Sequence, residues 1–440
     1  MPRFLLLCAA LAAFPLSAQG QQSVPTAETV IRLTVRPMPA PKPALRYLLL
    51  PELKEMQPGN PIPNYLKCFL DQDFSSSQET LSEAALRQAD RAARMDKPDW
   101  QILLKAKIDG VNLLLPDVQK IRALAAALQE RFHTEVAQHR FDDALRTAKT
   151  MFAMARHMGE HPTLIGDLVG IAIAFVAINP LEEMLSQEGC PNLYWALTNL
   201  PSPLVSMDTG WEGERMMISS ELRDLDENAP MSAEQLQKLI KHIDLLRQLE
   251  GGKSKKSTRS WLNSRNKDEK LIQAARRRLV EVGISEERVA RFPADQVLLL
   301  DEKREYDVIR DDTMKLMKLP TWQGEALIRQ LKPPKKESLF SFLVPSLNKV
   351  RRAQGRLEQR IALLRHVEAL RLYAADHDGK LPEKLSDIAV PLPPDPFTGK
   401  PFRYETDGAT AHVRGSPPPG EEKNPPYNLH YEVTIQDAAK

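Results

Sequence analysis

The string His157-Met158-Gly159-Glu160-His161 carries the sharpest chemical pattern in the chain. It matches H-x-x-E-H, the inverted zinc-peptidase motif, in which one helix face presents two imidazoles to zinc and the glutamate acts as general base. Local geometry opposes that use. Gly159 favours a helix end, and His161 precedes Pro162, which drives it toward extended backbone. The two rings then fail to stack one turn apart, and the sequence declares no third ligand. His157, Glu160 and His161 are thus weak metal candidates only. The sequence assigns no catalytic residue, no metal and no cofactor.

A second string, Asp376-His377-Asp378-Gly379, has the look of half a calcium loop. Aligning Gly379 to the loop's sixth position puts Ala374 at the first and Leu385 at the twelfth, where an acid and a bidentate glutamate are required. The loop fails, and a helix end with Gly379 as its left-handed cap and Pro382 beyond it explains the same residues. His133 and His139, near Glu130, Glu135 and Asp142-Asp143, sit six apart and fall on different helix faces, as solvated histidines do. Cys68 and Cys190 remain if a leader containing Cys8 is removed; in an exported chain they can form a disulfide, or stay as two buried thiols. No G-x-S-x-G, phosphate loop or G-x-G-x-x-G occurs.

These groups must be positioned mainly by helices. Pro116-Asp117 suits a helix start, and Val118, Ile121, Leu124, Ala125, Leu128 and Phe132 follow at spacings of three and four. Phe141, Ala144, Leu145, Ala148, Phe152 and Ala155 mark the stripe of a second helix. The aromatic–alanine spacing at Phe141 and Ala144 resembles the inter-helix turn of tetratricopeptide repeats, over about one repeat. Pro162 to Asn179 is apolar almost all round, interrupted by Asp167, and reads as a central buried helix, with Gly166 and Gly170 permitting close packing. Further helices are expected at 232–249, 268–281, 294–317 and 346–376. In the last of these Arg356, Arg360 and Arg371 fall off the apolar stripe and read as solvated.

The ends are different. Residues 21–75 are rich in proline and read as an extended strap, with Val30 to Val35 and Leu45 to Leu50 strand-like. After residue 400, alternation around Tyr404, a turn at Asp407-Gly408, and alternation from Leu429 to Ile435 predict a three-stranded meander. The predicted organisation is a signal peptide (1–20), the strap (21–75), an α-helical domain (76–345), and a long helix plus sheet (346–440). The fold class is mainly α, built from antiparallel helix pairs with a small C-terminal α+β module.

The stretch LRLYAADHDGKLPEKLSDI followed by PPDPFTGKPFRYE resembles the soluble part of type II secretion major pseudopilins. That family leaves its helix through Tyr, Gly and Pro positions matched here by Tyr373, Gly379 and Pro382, and its turn by Asp395, Pro396, Phe397 and Gly399. The resemblance implies a pilin-like helix-and-sheet module. ALRYLLLPEL, RFDDAL, LIGDLVGIAI and the same C-terminal strings also make the chain similar to a group of exported bacterial proteins of the planctomycete type. That resemblance implies a fold and a compartment, and no activity.

Arg3 and the apolar run from Phe4 to Leu16 form a signal-peptide pattern with a small-x-small site at Ala18-Gln19-Gly20. Export to the periplasm or beyond is expected, with no membrane-spanning segment in the mature chain. The formal net charge is +2, too small to steer the protein to nucleic acid. The basic KSKKSTR stretch (Lys253 to Arg259) reads as a solvated loop. The function expected is binding or scaffolding in the cell envelope, with another envelope protein, a peptide or a polysaccharide as partner. The rival is a secreted hydrolase, zinc-dependent through His157 to His161.

Overall fold

A computed structural model describes residues 28–70, 81–249, 257–331, 338–340 and 346–436. The expected signal peptide and Lys253 to Lys256 of the basic loop lie outside the described residues. The chain opens with β1 (Thr29–Val35), then α1 (Pro61–Lys67), α2 (Glu83–Ala92) and α3 (Leu103–Asp109). Next come α4 (Pro116–Ala137), α5 (Phe141–Met158), α6 (Leu164–Leu185), α7 (Tyr194–Thr198) and α8 (Asp208–Glu221). There follow α9 (Ala233–Leu249), α10 (Thr258–Arg265), α11 (Glu269–Glu281), α12 (Glu286–Arg291), α13 (Ala294–Leu316) and α14 (Thr321–Ile328). Last are α15 (Ser346–Asp376), β2 (Arg403–Asp407), β3 (Thr410–Arg414) and β4 (Leu429–Ile435). The protein is mainly helical with a small C-terminal mixed sheet.

Contacts gather the described residues into two compact units. The larger comprises residues 28–101, 114–211 and 352–436, and its centre is the mutually packed α4, α5 and α6. The stripe from Val118 to Phe132 is buried throughout. Thr163 caps α6 by accepting the Gly166 amide at 3.2 Å. That helix is long and apolar enough to cross a membrane, and 83% of its most apolar window is buried inside the protein. A Cβ on Gly170 would stand 2.7 Å from the Ala155 carbonyl oxygen, so α5 and α6 approach there as only glycine allows.

The sheet has four strands in the order β1-β4-β3-β2, correcting the three-stranded meander read from the sequence. Thr29–Val35, in the run expected to be strand-like within the extended strap, pairs in parallel with Leu429–Ile435. The alternation in β1 was visible; its partner lies about 400 residues away, beyond the reach of any local pattern. A meander alone would leave the outer edge of β4 unpaired, and β1 supplies those hydrogen bonds. The hairpin turn is Gly408-Ala409, one residue later than expected, because Asp407 still pairs with Thr410. Gly408 has φ +59° and occupies the first central position, the place a type II′ turn reserves for glycine. Leu33, Val35, Ala411, Val413, Tyr431 and Val433 form the buried face.

Of the three α15 arginines expected to be solvated, Arg360 and Arg371 are buried and Arg356 is half-buried. Arg360, 6% exposed, donates to both Glu182 oxygens at 2.9 and 2.7 Å and to Asn179 at 2.8 Å. The Tyr431 hydroxyl donates to the same carboxylate, so α6, α15 and β4 meet at one ion pair. Arg371, 1% exposed, pairs with Glu368 and donates to the carbonyls of Arg36 and Cys190 at 3.1 and 2.8 Å. Helix periodicity places these residues off the stripe; it cannot show that other segments of chain cover that side. At the helix end, Gly379 has φ +79° and its amide reaches the Ala374 carbonyl at 2.9 Å, as a cap should. The Asp395 turn is internally tied: its buried carboxylate accepts the amides of Phe397 and Ser416 at 3.0 and 2.7 Å and the Gln359 side chain at 3.1 Å.

The smaller unit comprises residues 102–113 and 212–351. Its core gathers Trp261, Leu262, Ile272, Leu279, Phe292, Val297 and Phe340. Gln296 is fully buried and satisfied, donating to the Asp226 and Ala229 carbonyls and accepting the Met231 amide.

Candidate functional site

His157, Glu160 and His161 have separate partners. His157 lies near the end of α5, with Nδ1 3.0 Å from the Tyr65 hydroxyl, and its carbonyl accepts the Trp100 indole N–H at 3.2 Å. Burial, helped by the Arg156 charge, pushes its imidazole down to about 4, so the ring is neutral. Glu160 is exposed and accepts the Thr209 hydroxyl at 3.2 Å. His161 lies past the helix end, with Nδ1 2.9 Å from Thr163 Oγ1 and its ring edge-on to Trp100. Each imidazole is thus engaged in packing the α5–α6 junction. His133 pairs with Glu183 at 2.7 Å and His139 is exposed.

Cys68 and Cys190 are free buried thiols. The Cys68 sulfur lies 3.2 Å from the Ala85 carbonyl oxygen, and the Cys190 sulfur 3.4 Å from that of Pro191. Burial raises the two thiols to about 11 and about 12, leaving both protonated and inert near neutral pH.

An open groove of about 760 Å³ runs between α2, α4 and α5. Ala123, Ala126 and Ala127 on α4 leave room in it because each side chain stops at Cβ, and Ala123 and Ala126 are exposed. Arg131 spans its inner end, donating to both Asp90 oxygens at 3.1 and 2.7 Å and to Thr147 Oγ1 at 2.9 Å. Thr147 in turn donates to Glu135 at 2.6 Å. Burial raises the Glu135 carboxyl above the ordinary range, opposed by Thr147 and Arg131. Glu83 and Arg87 of α2, Glu130 of α4, and Arg140, Asp143 and Arg146 supply the outer charges. No aromatic residue lines the groove among the described residues.

The outward face of the sheet gathers a set that the sequence reading passed over. His412 on β3 stands opposite Glu432 on β4, with His430 one face position along. Ligand atoms of His412, His430 and Glu432 lie within 4.8 Å of one another, and His412 Nδ1 is 3.0 Å from His430 Nε2. His430 is 4% exposed although it points away from the core. Its Nδ1 lies 3.2 Å from the Glu28 carboxylate, within ion-pair range although off hydrogen-bond geometry. Burial and the Arg414 guanidinium hold the His430 ring below its ordinary value, while Glu28 and Glu432 pull the other way. The sequence signal was the alternation His430-Tyr431-Glu432, with tyrosine inward and both polar groups outward. Only the strand register adds His412. No protein-family model, no curated protein and no solved structure matches this chain.

Proposed function

We propose that the chain is an exported cell-envelope protein that binds a partner polypeptide in the groove between α2, α4 and α5. That groove is the observation that carries the reading. Its alanine floor leaves space for a chain to lie along α4, and its mixed carboxylate and guanidinium walls suit main-chain amides and mixed-charge side chains. Arg131, held at three donor positions, is a preorganised group that loses little freedom when a ligand docks. The walls named offer charged and hydrogen-bonding groups along a small-residue floor, which suits a peptide main chain. The packing of α4 against α5 supports a tetratricopeptide-like pair, and the Asp395 turn beside the sheet supports a pilin-like reading of the C-terminal part. The leader pattern in residues 1–20 supports export.

Ala126→Trp tests the groove, because position 126 is exposed and the larger side chain fills the space without entering the core. Wild type should retain a polypeptide from envelope extract that the variant loses, at equal melting temperature. Equal capture by both proteins refutes the groove. Export is tested separately by intact mass, which should show a mature chain beginning near Gln19 or Gln21; retention of Met1 to Ala18 in the exported protein refutes it.

A further inference from the structure

We propose that His412, His430 and Glu432 form a binding site for a divalent transition-metal ion, zinc foremost, on the outward face of the sheet. This goes beyond the groove reading and does not depend on it. Two imidazole nitrogens and one carboxylate oxygen are a borderline N/O set, of the kind that selects zinc and its neighbours over calcium or magnesium, which prefer all-oxygen shells. The spacing fits. Two ligands at about 2.0–2.1 Å from a tetrahedral ion stand roughly 3.3 Å apart, and His412 Nδ1 and His430 Nε2 are 3.0 Å apart. Glu432 already lies within reach at 4.8 Å or less.

The surroundings complete the design. Glu28, 3.2 Å from His430 Nδ1, favours the proton on that nitrogen and so leaves the Nε2 lone pair free for the ion. A carboxylate behind a ligating histidine is the common outer-shell arrangement. Arg32 holds one oxygen of Glu432 at 2.7 Å. That arginine side chain is 74% exposed, so its ion pair is weak and the second carboxylate oxygen remains available. The ligands come from two strands locked in register, which positions them more rigidly than a loop would. Three protein ligands leave the fourth position of a tetrahedral ion open to water.

The test is titration of the tag-free, metal-stripped full chain with zinc alone, followed by calorimetry, with calcium as the control. Wild type should take up one equivalent of zinc and no calcium. His412→Asn and Glu432→Gln, both at partly exposed positions that spare the fold, should weaken zinc binding more than about 100-fold. Glu28→Gln should weaken it by about 10- to 100-fold. Zinc should also raise the melting temperature of wild type and not of the two ligand variants. The proposal is overturned if wild type binds no zinc, if His412→Asn and Glu432→Gln bind as wild type does, or if His157→Ala abolishes binding that His412→Asn retains.

Discussion

Replacing Glu182 with leucine should be among the most damaging single changes in the larger unit. The substitution removes both acceptors that Arg360 uses at 2.9 and 2.7 Å and the acceptor of the Tyr431 hydroxyl. Arg360 keeps the Asn179 amide oxygen, 2.8 Å away, the Tyr431 hydroxyl and the nearby Phe175 ring, none of which carries a negative charge. It is buried and cannot reach water, so the charge is left uncompensated. Breaking a buried pair in this way costs about 3–5 kcal/mol, against about 1 kcal/mol for an exposed pair. The double variant Glu182→Leu/Arg360→Leu removes the stranded charge and should be at least about 2 kcal/mol more stable than the single variant. Urea unfolding of both variants, followed by circular dichroism, measures the two numbers. A loss below about 1 kcal/mol for Glu182→Leu, or a double variant no more stable than Glu182→Leu alone, would refute this account of the pair.

Three further outcomes are expected. Leu364 on α15 is fully buried, so Leu364→Ala should cost about 2–5 kcal/mol in the same assay; a loss under about 1 kcal/mol contradicts the packing described. His157 and His366 are both pushed down to about 4 by burial, from an unfolded value near 6.5, so the folded chain holds them neutral while the unfolded chain takes up protons. The stability they contribute is complete above pH 6.5 and falls as pH drops toward 4, by about 1.4 kcal/mol per pH unit for each ring. His157→Gln should flatten that slope, and an unchanged slope would sink the assignment. Cys68 and Cys190 should resist iodoacetamide at pH 8 in the folded protein and react in denaturant; rapid native labelling of either contradicts its burial.

Elements whose pattern is local were legible in the sequence. The helix from Pro116 follows from a proline and an acid in the first turn and an apolar stripe, all of it buried in the fold. The long C-terminal helix ends at Asp376, where the Gly379 cap and Pro382 place its stop. What was missed depends on distant chain. β1 finds its partner across the whole length of the protein, and Arg360 and Arg371 are covered by α6 and by the segments around Arg36 and Cys190. The sheet-face cluster needed the β3–β4 register, since His412 and His430 are 18 residues apart and carry no motif. The groove arises where alanines of α4 face α2 and α5, and exposed alanines send no signal in a sequence.

Photo-crosslinking in living cells can reveal whether a polypeptide occupies the α2–α4–α5 groove. A benzoyl-phenylalanine at position 126, inside the groove, is compared with one at position 282, an exposed site in the smaller unit. Illumination should yield a discrete polypeptide adduct from position 126 and none from position 282. No adduct at 126, or the same adducts from both positions, would refute the groove as a polypeptide site.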